Sequence, residues 1–291
     1  MAKDNPVQSM LKNRGFKYKK QLGQNFIFNS FILNQIADEG GVEEGDLVIE
    51  AGAGAGTLTE VMASRGARVI AVEFDRALTP ILKEQFKDEE AVELVQGDVM
   101  SLELDRLAEE AGAKEYKIVA NLPYQISTPF LTRMFRQLKG LTGGAVMVQK
   151  EVAMKVTAEP GEEGYGMLAL AAAAFGQVEL AFVLEPGYFT PPPPVDSAVI
   201  AFHRCRPELG VEDKALWLLI RGVMNQRRKN ILNGLKSLGA FQPKNGLTWP
   251  EALEEAGISR EVRGETLSLE EFADIVRAAG YASADQADQA D

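Results

Sequence analysis

The 291-residue sequence contains one cysteine, one histidine and no apolar stretch long enough to cross a membrane. Cys205 alone cannot form an internal disulfide, and His203 alone argues against a zinc site. The longest apolar stretch, Met167–Phe175, is well short of the ~20 residues that a membrane-spanning helix needs. The N-terminus also lacks the apolar core of a signal peptide. These scarcities predict a cytoplasmic protein without a metal ion or a membrane partner.

Basic residues are scarce as well, since 31 Lys and Arg residues stand against 42 Asp and Glu residues and give a net charge of −11. Such acidity argues against a nucleic-acid partner. However, residues 1–25 contain six basic residues and one acidic residue, and residues 214–244 contain seven basic residues and no acidic one. Two basic segments on an acidic chain focus positive charge where nucleic acid can bind. The alternative is that both segments are solvated surface.

The periodicity of apolar residues divides the chain into an α/β part and a helical part. Over residues 1–208, short apolar runs alternate with helical stretches and predict an α/β domain, which includes a basic segment at residues 1–28. Residues 209–281 show only helical periodicity, including a helix over residues 223–238, and predict a small all-α domain. Its last helix opens with a capping box of Ser268 and Glu271. Residues 282–291 lack the apolar residues needed for packing and predict a disordered tail.

The first predicted strand, residues 47–49, is followed by a carboxylate and a glycine-rich turn. Glycines at 52, 54 and 56 allow a tight turn and a close approach of the backbone to a ligand. The carboxylate of Glu50 suits an ammonium group, which favours a cofactor that bears an amino acid over one that bears a pyrophosphate. The alternative for Gly52, Gly54 and Gly56 is a tight strand–helix turn without a ligand.

The second predicted strand, residues 68–72, also ends in acidic residues. Glu73 lies 19 residues after Gly54, where an acidic residue at a strand tip meets ribose hydroxyls. Asp75 is the competing candidate for this contact. It equally suits a cap for a helix that starts near Ala77.

The third predicted strand, residues 92–95, leads to Asp98 and Val99. The Asp98 carboxylate suits an adenine amine, and the Val99 N–H suits a nitrogen of the ring. Because neighbouring parallel strands end at the same edge of a sheet, Glu50, Glu73 and Asp98 are expected to line one cofactor site.

The tetrapeptide Asn121-Leu122-Pro123-Tyr124 follows the predicted strand 116–120 and is the candidate catalytic motif. Proline fixes its own backbone and keeps Leu122 out of helical angles, so the local carbonyls are not expected to join the next helix. The Asn121 oxygen, the carbonyl of Leu122 or Pro123 and the Tyr124 ring then suit a planar base with an exocyclic amine. The alternative is a turn in which Asn121 caps a helix and Tyr124 packs.

A second aromatic residue, Phe189, lies in a loop that contains four consecutive prolines, residues 191–194. Such a loop is stiff and extended, so it is predicted to hold Phe189 as a second stacking wall for the base. The alternative is that Phe189 belongs to the core, because aromatic residues are usually buried.

With these motifs in place, the chain resembles the KsgA (RsmA) family of small-subunit ribosomal RNA adenine dimethyltransferases from about residue 19 to residue 277. Nine stretches carry the resemblance in the order of the family. They are residues 22–26, 50–59, 73–75, 97–99, 121–124, 149–151, 189–197, 225–229 and 263–272.

The resemblance implies a Rossmann-like methyltransferase sheet with S-adenosylmethionine bound at the first three strand tips. It implies two methyl transfers to the exocyclic amine of each of two adjacent adenosines near the 3′ end of 16S rRNA. The substrate would be the 30S subunit or its assembly intermediate, and the protein would act as a monomer. The resemblance places Gln24 and Asn25 near the methionine end of the cofactor. It adds Phe26 and Asn121 to the residues that bind it.

The two basic segments supply the predicted RNA contacts, which are Lys17, Lys19, Lys20, Arg227, Arg228 and Lys229. The rival functions are a 23S rRNA adenine methyltransferase of the erythromycin-resistance type and a relative of mitochondrial transcription factors. A nicotinamide-dependent oxidoreductase shares the glycine-rich turn and Glu73 but leaves residues 121–124 unexplained. A non-catalytic ribosome-assembly factor needs the basic segments but no intact cofactor site.

Overall fold

The computed structural model describes residues 6–283, except for the Lys20 side chain, and most of the predicted tail lies outside this range. The strands are β1 (Phe26–Ile27), β2 (Leu47–Ala51), β3 (Arg68–Glu73), β4 (Val92–Gln96), β5 (Tyr116–Asn121), β6 (Leu141–Gln149), β7 (Gly176–Leu184), β8 (Phe189–Thr190) and β9 (Ser197–Arg204). The helices are α1 (Pro6–Asn13), α2 (Ser30–Glu39), α3 (Thr57–Ser64), α4 (Thr79–Gln85), α5 (Leu104–Glu110), α6 (Ser127–Gln137), α7 (Lys150–Val156), α8 (Met167–Phe175), α9 (Asp213–Met224), α10 (Ile231–Lys236), α11 (Trp249–Glu255) and α12 (Leu269–Ala278).

Seven strands form one sheet in the order β4-β3-β2-β5-β6-β9-β7. The strands from β4 to β6 pair in parallel, whereas β9 runs antiparallel to β6. The strand order reverses between β2 and β5, and open α/β sheets bind their ligands at such a switch point. The predicted α/β class is confirmed, and the sheet brings the three acidic tips and the Asn121 motif to one edge.

The central strands are buried on both faces. All five residues of β2 are buried, as expected for a parallel strand covered by helices on both sides. Ile36 of α2, Met62 of α3 and Val119 of β5 are fully buried in the same apolar cluster. Burial of each such side chain contributes roughly 1.5–3 kcal/mol. The ends of these strands are therefore held in place by a well-packed hydrophobic core.

The chain divides into two units at positions that differ from the predicted boundary at residue 208. The first unit runs to Met154 and resumes over Gln177–Arg204, and the second contains Lys155–Gly176 and the chain from Cys205 onward. The difference arises from α8, which packs against α9 and α12. Five consecutive α8 residues, 168–172, are buried, so this helix needs neighbours on every side.

The single helix predicted over residues 223–238 is wrong. Helix α9 ends at Met224, residues 225–230 form a turn, and α10 begins at Ile231. Asn230 caps α10 by accepting a hydrogen bond from the Asn233 N–H at 3.3 Å. Asn230 also forms an isolated β-bridge with Arg263, which fixes the chain in a non-helical conformation.

Within residues 6–283, no helix is long and apolar enough to span a bilayer. Across the same range, no three His, Cys, Asp or Glu side chains are grouped to hold a metal ion.

Candidate active site

A cavity of about 310 Å³ lies in the first unit, at the carboxyl ends of β2, β3 and β5 and beside the turn that follows β4. The predicted site residues that line it are Gln24, Asn25, Phe26, Glu50, Gly52, Gly54, Glu73, Asp98, Val99, Asn121 and Pro123. The structure thus brings most of the predicted cofactor-binding residues, together with Asn121 and Pro123 of the predicted catalytic motif, around one cavity of ligand size.

The glycine-rich turn between β2 and α3 forms one wall of the cavity. The Gly54 N–H donates to Oε2 of Glu73 at 2.8 Å. Gly54 has a φ of 58°, a left-handed angle that glycine adopts without strain. A Cβ atom at Gly54 would also lie 3.1 Å from the Phe26 ring. Unlike Gly52 and Gly54, Gly56 does not line the cavity. It is the N-cap residue that precedes α3.

Glu50 is a buried carboxyl group at the edge of the cavity. It is 1% exposed and accepts a hydrogen bond from the Thr59 hydroxyl. Burial raises the pKa of Glu50 well above its ordinary value, and although the Thr59 bond opposes this shift, the neighbouring Glu73 adds to it. No described basic side chain forms an ion pair with Glu50. A cationic group of a ligand would therefore stabilise its charged form.

Glu73 and Asp75 occupy different environments. Glu73 lines the cavity and accepts hydrogen bonds from the N–H groups of Gly54 and Asp75, at 2.8 and 2.6 Å. Burial raises the pKa of Glu73, although these hydrogen bonds oppose the shift. Asp75 is buried but does not line this cavity. Of the two candidates, Glu73 is the one placed to bind a ribose.

The turn after β4 presents one carboxylate and one backbone N–H. Asp98 is exposed, and its Oδ1 accepts the Met100 N–H at 2.9 Å, which leaves Oδ2 for a further donor. Val99 is buried, and its carbonyl accepts from Arg133 at 2.8 Å. No described acceptor takes the Val99 N–H, so this group is free to donate to a ring nitrogen.

The segment before β1 is tied to Asp75 by hydrogen bonds. Nζ of Lys19 donates to Oδ1 of Asp75 at 2.6 Å, and Nε2 of Gln24 donates to Oδ2 at 2.7 Å. The Lys19 N–H donates to Oε1 of Gln24 at 2.7 Å. Burial alone would raise the pKa of Asp75, but the hydrogen bonds, led by that of Lys19, lower it overall.

The predicted RNA contacts in this segment therefore have different environments. The Lys19 ammonium is already paired within the fold. Lys17 is exposed, and the Lys20 side chain lies outside the described part of the chain.

The Asn121 side chain has a defined orientation. Its Nδ2 donates to the Asn25 carbonyl at 2.9 Å. Of the two polar atoms of the Asn121 side chain, only the nitrogen can donate to a carbonyl, so this bond directs Oδ1 elsewhere. No described donor occupies Oδ1, which is compatible with the predicted acceptor role, and that role stays a prediction.

The neighbouring carbonyls are not equally available. The Pro123 carbonyl accepts from the Ile126 N–H at 3.1 Å and from the Ser127 hydroxyl at 3.2 Å. The prediction that the carbonyls avoid the following helix is therefore wrong for Pro123, because the first turn of α6 uses it. The Leu122 carbonyl has no described donor and is the remaining second acceptor.

The two predicted aromatic walls do not line the cavity in this structure. Tyr124 is half-buried, and its hydroxyl shares a hydrogen bond of 2.6 Å with Oγ of Ser197. Phe189 is 4% exposed within the apolar cluster, in strand β8, where its backbone is paired with that of Ile27. The prediction of Phe189 as an open stacking wall is corrected, because β1–β8 pairing brings it into the core.

The three predicted RNA contacts of the second unit lie in the turn between α9 and α10. The Arg227 guanidinium donates to the Tyr165 carbonyl at 2.6 Å and lies 3.9 Å from a Glu265 carboxylate oxygen. Arg228 and Lys229 are exposed, and no described residue pairs with their side chains. Two of the three predicted RNA contacts are therefore free, and Arg227 is partly used to hold its own unit together.

Comparison with known proteins gives a consistent result over nearly the whole chain. The family model described as Ribosomal RNA adenine dimethylase matches residues 15–279. The ribosomal RNA small subunit methyltransferase A of Geobacter metallireducens is 38% identical over 270 residues, which cover 92% of this chain and 98% of that protein. The protein of the same name from Pelotomaculum thermopropionicum is 38% identical over 278 residues, or 92% of this chain and 94% of that one.

Solved structures agree on the fold. A dimethyladenosine transferase from Plasmodium falciparum matches with a TM-score of 0.73 and 22% identity, covering 88% of this chain and 99% of that chain. The 23S rRNA methyltransferase ErmE matches with a TM-score of 0.65 and 22% identity, covering 88% and 100%. These likenesses confirm the Rossmann-like methyltransferase fold. Because the family model and the curated relatives both match nearly its full length, the chain belongs to the ribosomal RNA adenine dimethylase family, whose members use S-adenosylmethionine.

Proposed function

We propose that this enzyme dimethylates the exocyclic amines of two adjacent adenosines near the 3′ end of 16S rRNA, in the 30S subunit or its assembly intermediate. It would act in the cytoplasm as a monomer. The observation that carries the proposal is the presence, in one cavity, of a buried carboxyl group, Glu50, that forms no ion pair with a described residue, and of an Asn121 amide oxygen that no described donor occupies. The names of the curated relatives support the small subunit as the site of action.

The residues around the cavity fit S-adenosylmethionine. The Glu50 carboxyl would hold its ammonium group, and Glu73 would accept from its ribose hydroxyls while still supporting Gly54. Asp98 and the Val99 N–H would hold the adenine. When bound, this cofactor supplies an electrophilic methyl group on a sulfonium.

The acceptor residues would prepare the target amine for attack. An adenine amine is a weak nucleophile because its lone pair is delocalised into the ring. Oδ1 of Asn121 and the Leu122 carbonyl would accept hydrogen bonds from its two N–H groups and favour a pyramidal nitrogen with a localised lone pair. This is catalysis by positioning. No strong base is needed, because the methylated nitrogen is acidic enough to lose its proton to water.

Stacking would hold the extruded base in place. The Tyr124 ring is fixed through its hydroxyl bond to Ser197, and stacking on an aromatic ring contributes ~1–3 kcal/mol per base. Phe189 would act from within the core, by pairing with β1, whose residues line the cavity.

RNA phosphates would be bound by Lys17 in the first unit and by Arg228 and Lys229 in the second.

The experiment is transfer of tritiated methyl groups to ribosomal subunits that lack the modification. The expected result is label in small subunits, recovered as dimethyladenosine after digestion, with none in large subunits. The Asn121→Ala variant serves as the matched inactive control. Label in large subunits would assign a 23S-type activity, and label in neither would reject catalysis in favour of an assembly role.

A further inference from the structure

Residues 19–25, which we name the N-terminal wall, connect Asp75 to the Asn121 motif. Residues 21–25 line the cavity. At one end of the wall, Lys19 and Gln24 are both bonded to Asp75, which lies more than 50 positions away in the chain. At the other end, the Asn25 carbonyl accepts from the Asn121 amide at 2.9 Å.

Contacts within the wall make it a continuous path. The Asn25 side chain donates to the Gly23 carbonyl at 3.1 Å, and the Leu22 N–H donates to the Lys19 carbonyl at 3.0 Å. Gly23 also lies close to the acceptor motif, since a Cβ there would fall 2.3 Å from Oε1 of Gln125. A shift of the wall would therefore displace its neighbours on both sides of Tyr124, which are Asn121 and Gln125.

The proposed reaction gives Asp75 no contact with cofactor or substrate, yet this carboxylate is buried and fully engaged. Its two oxygens accept from Lys19, Gln24 and the Ala77 N–H, and its own N–H donates to Glu73. Such a bonding pattern defines the position of everything attached to it.

We propose that Asp75 is a positioning residue: it latches the N-terminal wall through Lys19 and Gln24, and the wall sets the orientation of the Asn121 amide. This inference rests on the proposed role of Asn121 as the acceptor of the target amine. The latch joins the cofactor side of the cavity to its acceptor side, so the wall that closes the site also aims the catalytic oxygen.

Asp75→Asn tests the latch with almost no change in volume. The amide nitrogen that this substitution introduces would face either Nε2 of Gln24 or Nζ of Lys19, and each of these is a donor. Turning the Gln24 amide to compensate would set its nitrogen against the Lys19 N–H, which now donates to Oε1. At least one donor therefore loses its acceptor on residue 75, and such a loss is costly where the donor is buried.

The first measurement needs no substrate. Amide hydrogen exchange of the full-length protein should be faster at Lys19 and Leu22 by about 10-fold or more in Asp75→Asn, while exchange in β2 and β5 stays unchanged. The Asn121 side-chain amide resonance, assigned from its absence in Asn121→Ala, should also shift. Unchanged exchange in the wall, or an unshifted resonance, would overturn the proposal.

A second variant covers the case in which Asp75→Asn fails to fold. Lys19→Met removes the ammonium but keeps the apolar stem of a half-exposed side chain. The matched control is Lys83→Met, because Lys83 is an exposed lysine of the same unit with no described partner. Faster exchange in the wall is expected for Lys19→Met and not for Lys83→Met. Equal behaviour of the two variants would reject the latch.

A double-mutant cycle tests whether Asp75 acts through Asn121. At saturating S-adenosylmethionine, Asp75→Asn should slow single-turnover methylation about 10- to 100-fold when Asn121 is present. In the Asn121→Ala background the same change should have little further effect. Full additivity would mean general damage and would overturn the proposal. If the wild-type protein methylates no subunit, the proposed function fails, while the exchange and resonance measurements still decide the latch.

Discussion

The cofactor half of the cavity and its acceptor half are built on different physical principles. The cofactor half, which contains Glu50, Glu73 and Asp98, presents carboxyl groups, and burial raises the pKa of Glu50 and Glu73. The acceptor half, residues 121–124, is uncharged, and its polar groups are held by hydrogen bonds to Asn25 and Ser197. In the first half, burial of the carboxyl groups has an electrostatic cost, which a cationic ligand would reduce. The second half supplies only orientation.

This difference predicts that changes in the two halves affect different measurable quantities. Variants of the cofactor half should alter cofactor affinity and its pH dependence. Variants of the acceptor half should alter the rate of the bound complex at constant affinity. A variant that alters both together would show that the halves are not separate.

The largest effect is expected for Asn121→Ala. The lost acceptor matters most when the target amine becomes pyramidal, so the single-turnover rate should drop ~100- to 1000-fold, as for other preorganised transition-state hydrogen bonds. Cofactor affinity, measured by calorimetry, and melting temperature should change little. A helix cap would behave differently, with about 1 kcal/mol of stability lost and activity that follows the folded fraction. A destabilised variant with a near-normal single-turnover rate would contradict the catalytic assignment.

Glu50→Gln should have the next largest effect, and it falls on binding. The substitution keeps an acceptor for Thr59 but removes the charge that would meet the ligand's ammonium group, so affinity for S-adenosylmethionine should fall about 10- to 100-fold. Wild-type affinity should also decrease as the pH is lowered through the raised pKa of Glu50, because the carboxyl group then takes up a proton. Affinity of the variant should depend less on pH than that of the wild type, because only Glu73 of the two buried carboxyl groups then remains.

Stability without cofactor gives an independent check of the same residue. A carboxyl group whose pKa is raised by folding stabilises the protein below its unfolded pKa, and this contribution is lost as the pH rises through the folded value. Cofactor-free Glu50→Gln should therefore gain melting temperature relative to wild type at alkaline pH and lose this advantage towards pH 4.5. Identical melting profiles would show that Glu50 does not bear the proposed cost.

The sequence allowed the cofactor half to be predicted more fully than the acceptor half. Glu50, Gly54 and Glu73 lie at the ends of apolar strands, and strand order in a parallel sheet places such ends together. The burial of Phe189 and the ion pair of Lys19 depend on partners that are distant in the chain, β1 and Asp75 respectively. The spacing of neighbouring residues in the sequence does not predict such long-range pairings. The contacts of Thr59 with Glu50 and of Ser197 with Tyr124 likewise join residues that no local pattern connects.

The break between α9 and α10 is a second feature that depends on a long-range contact. The apolar residues before the turn, Val223 and Met224, and those after it, Ile231 and Leu235, are in helical register, so periodicity favours one helix although residues 225–230 are all polar. The break depends on the Asn230–Arg263 bridge, which joins residues more than 30 positions apart. By contrast, the capping box at Ser268 and Glu271 is a local signal, and its prediction is confirmed.

The next prediction concerns positive charge, which RNA phosphates need and which neither half of the cavity supplies. The described lining residues include no Lys or Arg, so phosphate contacts must come from elsewhere. Replacing Arg228 and Lys229 together with Gln should weaken RNA binding about 10-fold and shallow the log–log salt slope by roughly 0.9 per lost contact. Arg227→Gln is the matched comparison and should mainly lower stability, because it loses the bond to Tyr165. An unaltered slope for the double variant in filter binding would assign these residues to solvated surface.

The smallest effect is expected for Tyr124→Phe, which separates the orientation of the ring from the ring itself. The variant keeps the stacking face and loses only the hydroxyl bond to Ser197. A neutral hydrogen bond of this kind contributes about 0.5–1.5 kcal/mol, so the single-turnover rate should fall about 2- to 10-fold at unchanged cofactor affinity. Tyr124→Ala should lower the rate further, because it also loses the stacking of ~1–3 kcal/mol.

Ser197→Ala should reproduce the effect of Tyr124→Phe, and the double variant should be no slower than either one, since both remove the same bond. If Tyr124→Phe and Ser197→Ala are instead additive, the hydroxyl bond does not orient the ring, and the acceptor half is held by packing alone.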